Sequence, residues 1–158
     1  MNRAPASVWR HPIHFLAFGL GSGAAPYAPG TVGTLAAIPL YLYLLEPLSL
    51  GVYGLVLGVS FLLGCWWCEQ TSQDLGVHDH SGIVWDEFVG YWLTMWAAPP
   101  GWQWALFGAL VFRFFDILKP WPIRWADRHL DGGFGIMFDD VLAGVYAWIV
   151  VAVCAWFF

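Results

Sequence analysis

The sequence predicts an all-α fold: an integral membrane helical bundle with about four to five membrane-embedded helices, some short or broken. Three observations carry this. The 158-residue chain is 59% hydrophobic and only 11% charged, against roughly 25% charged in an ordinary soluble domain. Its apolar residues form runs separated by proline and glycine turns such as Glu46-Pro47 and Pro99-Pro100-Gly101. Many of the 12 tryptophans fall near the ends of those runs, where an aromatic belt meets the membrane interface. A soluble chain this short would have to hide too much apolar surface. Its length suits one domain, residues 1–158.

The elements follow in order. Residues 13–25 are apolar but interrupted by Gly19, Gly21 and Gly23, which suits a short re-entrant or interfacial segment better than a cleaved leader. Pro26 and Pro29 end it, and Thr31 is placed to cap a helix over residues 31–45, with Pro39 predicting a kink. Residues 48–68 form a full-length span in which Gly51, Gly54, Gly58 and Gly64 permit close helix contacts. A polar loop over residues 69–81 leads to a helix over 83–98 that opens on Asp86-Glu87. The next helix covers 102–118 and is ended by Pro120 and Pro122. Residues 123–130 predict a short amphipathic interfacial helix, and 131–135 a flexible turn. Asp139-Asp140 then opens a final span over 141–158.

Crossing the membrane at each apolar run puts Glu46-Pro47 and Pro99-Pro100-Gly101 on one side. The N-terminus and the 69–81 and 119–140 loops fall on the other. All six Lys and Arg residues lie on or next to that second side, which the positive-inside rule makes cytoplasmic. Asp86, Glu87, Asp116, Asp139 and Asp140 then stand at the same ends of three different helices, at one depth. Ionisable groups near lipid point to a functional site.

Clustered carboxylates repel one another, and a hard cation resolves the repulsion. Magnesium takes oxygen ligands and commonly binds one or two carboxylates together with substrate phosphate. The expected metal ligands are Asp86, Glu87, Asp116, Asp139 and Asp140. Adjacent residues on a helix point about 100° apart, so one of each pair is the direct ligand. The competing structural account makes Asp139 a helix N-cap and lets Asp86 and Glu87 meet the helix dipole. That account suffices for one pair but not for two pairs with Asp116 in one layer.

Arg113, Asp116 and Lys119 are spaced i, i+3, i+6 along one helix flank, with Arg124 just beyond. Arg113, Lys119 and Arg124 are candidate phosphate-binding cations; snorkelling is the alternative. Gly30, Thr31, Gly33 and Thr34, at a helix start, could present N–H groups and hydroxyls to a phosphate, or serve a close helix contact. They do not form a Walker loop. Asp79 and His80, shortly before Asp86, are candidate acid–base groups.

Other chemistries are excluded. The net charge is −5, and no basic patch suits nucleic acid. Cys65, Cys68 and Cys154 lie in apolar runs with no second pair to complete a zinc site. No Gly-x-Ser-x-Gly occurs, and neither a cysteine-phosphatase loop nor an Asp-x-Asp pair is present. What remains is metal-assisted attack of water on phosphorus. A small ion- or proton-coupled transporter using the same carboxylates is the alternative, although such sites lie near the bilayer midplane.

Four stretches resemble the phosphatidylglycerophosphatase A family. They are Gly21-Ser22-Gly23 with Ala28-Pro29-Gly30-Thr31-Val32-Gly33-Thr34; Val77-His78-Asp79-His80 with Ile83-Val84-Trp85-Asp86-Glu87-Phe88-Val89-Gly90; the run from Phe112 through Arg113, Asp116 and Lys119 to Ile123; and the run from Gly133 through Asp139-Asp140 to Gly144. The resemblance spans almost the whole chain in order. It implies a multi-pass lipid phosphatase of the bacterial inner membrane, with its active site facing the cytoplasm. Such an enzyme would hydrolyse phosphatidylglycerophosphate to phosphatidylglycerol and phosphate with Mg2+. The residues alone reach only metal-dependent phosphate chemistry at a membrane face. They indicate no oligomeric state.

Overall fold

The computed structural model describes residues 4–77 and 80–157, and the regular structure there is helical throughout. The helices are α1 (Pro12–Ala17), α2 (Pro29–Leu40), α3 (Leu50–Leu75), α4 (Trp85–Thr94), α5 (Trp102–Leu118), α6 (Ile123–His129) and α7 (Gly132–Phe157). Single 3-10 turns lie at Ala6–Trp9 and Ser22–Ala24. Beyond Pro39, α2 widens into a π-helical turn at Tyr41–Leu45.

Two helices, α3 and α7, are long and apolar enough to cross a membrane. At 26 residues each, they reach about 39 Å at 1.5 Å per residue, against a hydrocarbon core of about 30 Å. Their outer faces present Leu55, Leu62, Trp66, Ile149 and Val153 to the surroundings. Such faces suit lipid and not water.

Helix α7 is the central post, touching α3, α4, α5 and α6. It can do so because several of its contacting residues are small. A Cβ on Gly133 would overlap the Cys65 carbonyl of α3, and one on Gly135 the Leu130 carbonyl before α7. Ala143 and Ala147, also small, are buried further along the helix. The short helix α4 is wedged against α7, with Trp85, Phe88, Val89, Tyr91 and Trp92 all buried. Aromatic donors tie the bundle across helices: Tyr53 Oη donates to the Trp92 carbonyl at 2.7 Å, and Trp148 Nε1 to that of Trp96 at 2.8 Å.

Four boundaries differ from those expected, the first being that α4 covers Trp85–Thr94 and not 83–98. Helix α3 runs seven residues past 68, to Leu75. Its polar end is held by i,i+4 pairs, Gln73 with Glu69 and Gln70 with Asp74, and Gly76 in the left-handed region stops it. Residues 132–135 are not a flexible turn but the first turn of α7, so Asp139 and Asp140 sit inside the helix and Asp139 is not an N-cap. Thr31 is likewise no cap. Helix α2 begins at Pro29, whose fixed φ suits the first helical position, after a left-handed Ala28.

Candidate active site

The first turn of α4 is set by the chain before it. The Val84 N–H donates to the Ala17 carbonyl at 3.0 Å, and the Gly82 N–H to His80 Nδ1 at 3.0 Å. Asp86 and Glu87 then occupy the turn whose unpaired N–H groups favour negative charge. Opposite them, α7 carries Asp139 and Asp140, which are 6% and 3% exposed. Asp140 lies beside Asp86, Asp116 and Asp139.

These side chains surround one cavity of about 430 Å³, within the range of small-ligand sites. Asp86, Glu87, Asp116, Asp139 and Asp140 all line it, together with Gly30, Arg113 and Lys119. The five carboxylates divide into two kinds. Asp116 pairs with Arg113, and Asp139 with the Lys119 ammonium at 2.6 Å. Asp86, Glu87 and Asp140 instead gather on one another, with an oxygen from each within 4.8 Å of the others. Arg113 Nη1 stands 3.7 Å from Glu87 Oε1.

The trio suits a hard cation. Carboxylates are acceptors only, and two of the oxygens, Glu87 Oε2 and Asp140 Oδ2, are buried with no hydrogen-bond donor among the described residues. Buried acceptors of this kind are costly unless a charge or donor meets them.

The cationic side of the cavity is also fixed by local structure. Lys119 caps α5 in the left-handed region at φ 44°, a conformation that costs a non-glycine residue roughly 1 kcal/mol or more. Pro120 follows and prevents the helix from continuing. Lys119 Nζ bridges Asp139 and, at 2.5 Å, Asp127 of α6. Partial burial favours the neutral amine, but the Asp139 and Asp127 carboxylates outweigh it and hold the ammonium pKa above its ordinary value. Lys119 therefore stays charged. Arg113 Nε is buried with no acceptor among the described residues, and Nη1 is held between Asp116 and Glu87.

The remaining expected residues are placed as follows. Gly30 is packed over Glu87 and Arg113, so closely that a Cβ would overlap Glu87 Oε1. Thr31, Gly33 and Thr34 are off the cavity wall. Gly33 makes room for Val84, and the Thr34 hydroxyl donates back to the Gly30 carbonyl at 3.0 Å. Arg124 is exposed and donates to the Leu118 carbonyl at the end of α5. His80 packs against the Phe18 ring at a tilt, and its Nδ1 accepts the Gly82 N–H in the turn before α4. Asp79, with His78, lies outside the described residues. Asp127 was not singled out in the sequence, where it reads as one polar residue of an amphipathic helix.

An acidic cavity flanked by Arg113 and Lys119, in a bundle with two helices long and apolar enough to cross a membrane, defines a class: an all-helical, membrane-suited protein with one strongly charged cavity. Comparison with known proteins narrows it. The sequence model of the family described as Phosphatidylglycerophosphatase A matches residues 15–155. The chain is 52% identical over 136 residues to the phosphatidylglycerophosphatase A of Escherichia coli (strain K12), covering 85% of this chain and 78% of that one. It is 54% identical over 142 residues to that of Haemophilus influenzae, covering 89% and 87%. No solved structure matches. The chain belongs to the phosphatidylglycerophosphatase A family, whose enzymes are phosphoric monoester hydrolases.

Proposed function

We propose that this protein hydrolyses phosphatidylglycerophosphate to phosphatidylglycerol and inorganic phosphate, with Mg2+, at the cytoplasmic face of the bacterial inner membrane. The substrate is carried over from the family relatives. The observation that supports the chemistry is the make-up of the cavity wall: an oxygen from each of Asp86, Glu87 and Asp140 within 4.8 Å of the others, with Arg113 and Lys119 lining the same cavity.

Asp86, Glu87 and Asp140 would hold the magnesium ion. When bound, the ion supplies charge neutralisation and Lewis-acid polarisation at the phosphate oxygens. Arg113 and Lys119 would bind and orient the non-bridging oxygens, Arg113 through its fork and Lys119 as a point charge. Asp116 and Asp139 would hold those cations in place. Water adds to phosphorus, the bond from phosphorus to the glycerol oxygen breaks, and that oxygen leaves with a proton. The apolar wall at Ile83, Ile117 and Ile136 would exclude bulk water from the reacting group.

The bundle would be embedded through four to five helices, with α2, α4 and α5 beside the two long ones. The carboxylates gather at one end of α4 and α5, which disfavours a transporter with a midplane site. The test is phosphate release by the purified protein from a panel of phospholipid phosphomonoesters, with and without magnesium. Magnesium-dependent release from phosphatidylglycerophosphate is expected. Release that ignores magnesium, or none from that lipid, contradicts the reading.

A further inference from the structure

We propose that Asp127 is a specificity-determining residue: on the Lys119 ammonium its carboxylate occupies the place that the phosphomonoester takes when substrate binds. This rests on the reading of Lys119 as a phosphate-binding group.

Lys119 Nζ holds two carboxylates at nearly equal distance, Asp127 Oδ1 at 2.5 Å and Asp139 Oδ2 at 2.6 Å. The two are not equivalent. Asp139 is 6% exposed in the interior of α7, and separating it from its cation would strand a buried charge. The Asp127 side chain is 37% exposed on the seven-residue helix α6. Turned outward, Asp127 exchanges Lys119 for water at less cost than Asp139 would, because its carboxylate is already partly exposed. Lys119 thus has one permanent partner and one exchangeable partner.

The charge of the cavity gives the exchange its direction. The wall carries the carboxylates of Asp86, Glu87, Asp116, Asp127, Asp139 and Asp140 against the two cations Arg113 and Lys119. A phosphate that reaches Lys119 meets Asp127 as a like charge at contact distance, so the two compete for one ammonium. A dianionic phosphomonoester competes better than a monoanionic phosphodiester. The bulk lipids of a membrane, and the diester product of the proposed reaction, carry phosphodiesters. Asp127 therefore excludes the abundant monoanionic head groups and admits the dianionic one, while weakening the hold on released phosphate.

The test uses the full-length protein in detergent micelles with magnesium present. Binding of inorganic phosphate is measured by calorimetry, alongside KM for phosphatidylglycerophosphate and inhibition by added phosphatidylglycerol. In Asp127→Asn and Asp127→Ser, phosphate Kd and KM fall together by about two- to fivefold, the range an exposed ion pair supports, and inhibition by phosphatidylglycerol strengthens. In a Lys119→Ala background the same substitutions change nothing. If both variants bind phosphate more weakly or unchanged while Lys119→Ala weakens it, Asp127 is only a prop for Lys119 and the proposal is overturned. If Lys119→Ala leaves phosphate binding intact, the reading of Lys119 itself fails, and the proposal with it.

Discussion

The main chains of α4 and α7 touch at Gly90 and Gly144: a Cβ on Gly144 would stand 2.5 Å from the Gly90 carbonyl oxygen. This contact draws Asp86 and Glu87 of α4 toward Asp140 of α7. A larger residue there forces the helices apart or strains their packing, which typically costs about 1–3 kcal/mol. Gly144→Val is expected to lower the Tm of the detergent-purified protein and its activity together, although no cavity residue is changed. Gly58, with nothing within 4 Å of its would-be Cβ, is the contrast. Gly58→Ala should leave activity intact and gain a few tenths to about 1 kcal/mol from helix propensity.

Gly30 predicts the reverse separation, a loss of function without a loss of fold. Its would-be Cβ overlaps Glu87 Oε1 and stands 3.1 Å from Arg113 Nη1. Gly30→Ala should therefore push Glu87 out of the acidic trio, while alanine in the first turn of α2 is neutral or favourable for the helix. The expected result is an unchanged Tm with activity reduced about tenfold or more and a higher magnesium requirement. Unchanged kinetics would show that Glu87 has room to move.

The helical architecture was legible because its elements announce themselves by apolar runs between proline and glycine turns, and Asp86 and Asp116 do fall near helix ends set by such turns, whereas Asp139 lies inside α7. The start of α7 was not. Gly132, Gly133 and Gly135 read as a flexible turn, yet Gly133 and Gly135 are small because carbonyls of Cys65 and Leu130 stand against them, and a packing cause cannot be seen along one strand of sequence. For Gly33 the close-contact reading offered in the sequence is the one that holds, since it accommodates Val84. Pairings across elements were also hidden. Three residues of spacing suggest Arg113 with Asp116, but nothing in the chain says that Lys119 reaches Asp127 and Asp139.

Glu69 supplies a stability prediction outside the cavity. Its Oε2 accepts the Gly133 N–H at 2.5 Å, so α3 caps the N-terminus of α7 from a neighbouring helix. Losing a cap of this kind costs about 1 kcal/mol. Glu69→Ala should lower the Tm, whereas Glu69→Gln, which keeps an acceptor oxygen, should lose less. Equal Tm values for all three proteins would contradict the capping role.

The proposed orientation is checked by labelling single cysteines in a background without Cys65, Cys68 and Cys154. Ser49 and Ser81 are both exposed and lie at opposite ends of α3 and its following turn. Ser49→Cys should react with an impermeant reagent added from the periplasmic side, and Ser81→Cys only after the membrane is opened. The reverse pattern would put the cavity on the outer face.

The most direct test of the central claim is magnesium binding and turnover by Asp140→Asn. Asparagine keeps the shape of the side chain and removes the charge that Glu87 and Asp86 face across α4 and α7. The folded variant is expected to lose measurable magnesium binding by calorimetry and on the order of 100-fold or more of its phosphate release from phosphatidylglycerophosphate. A folded Asp140→Asn protein that binds magnesium as the wild type does and hydrolyses the lipid at a near-normal rate would contradict the metal site.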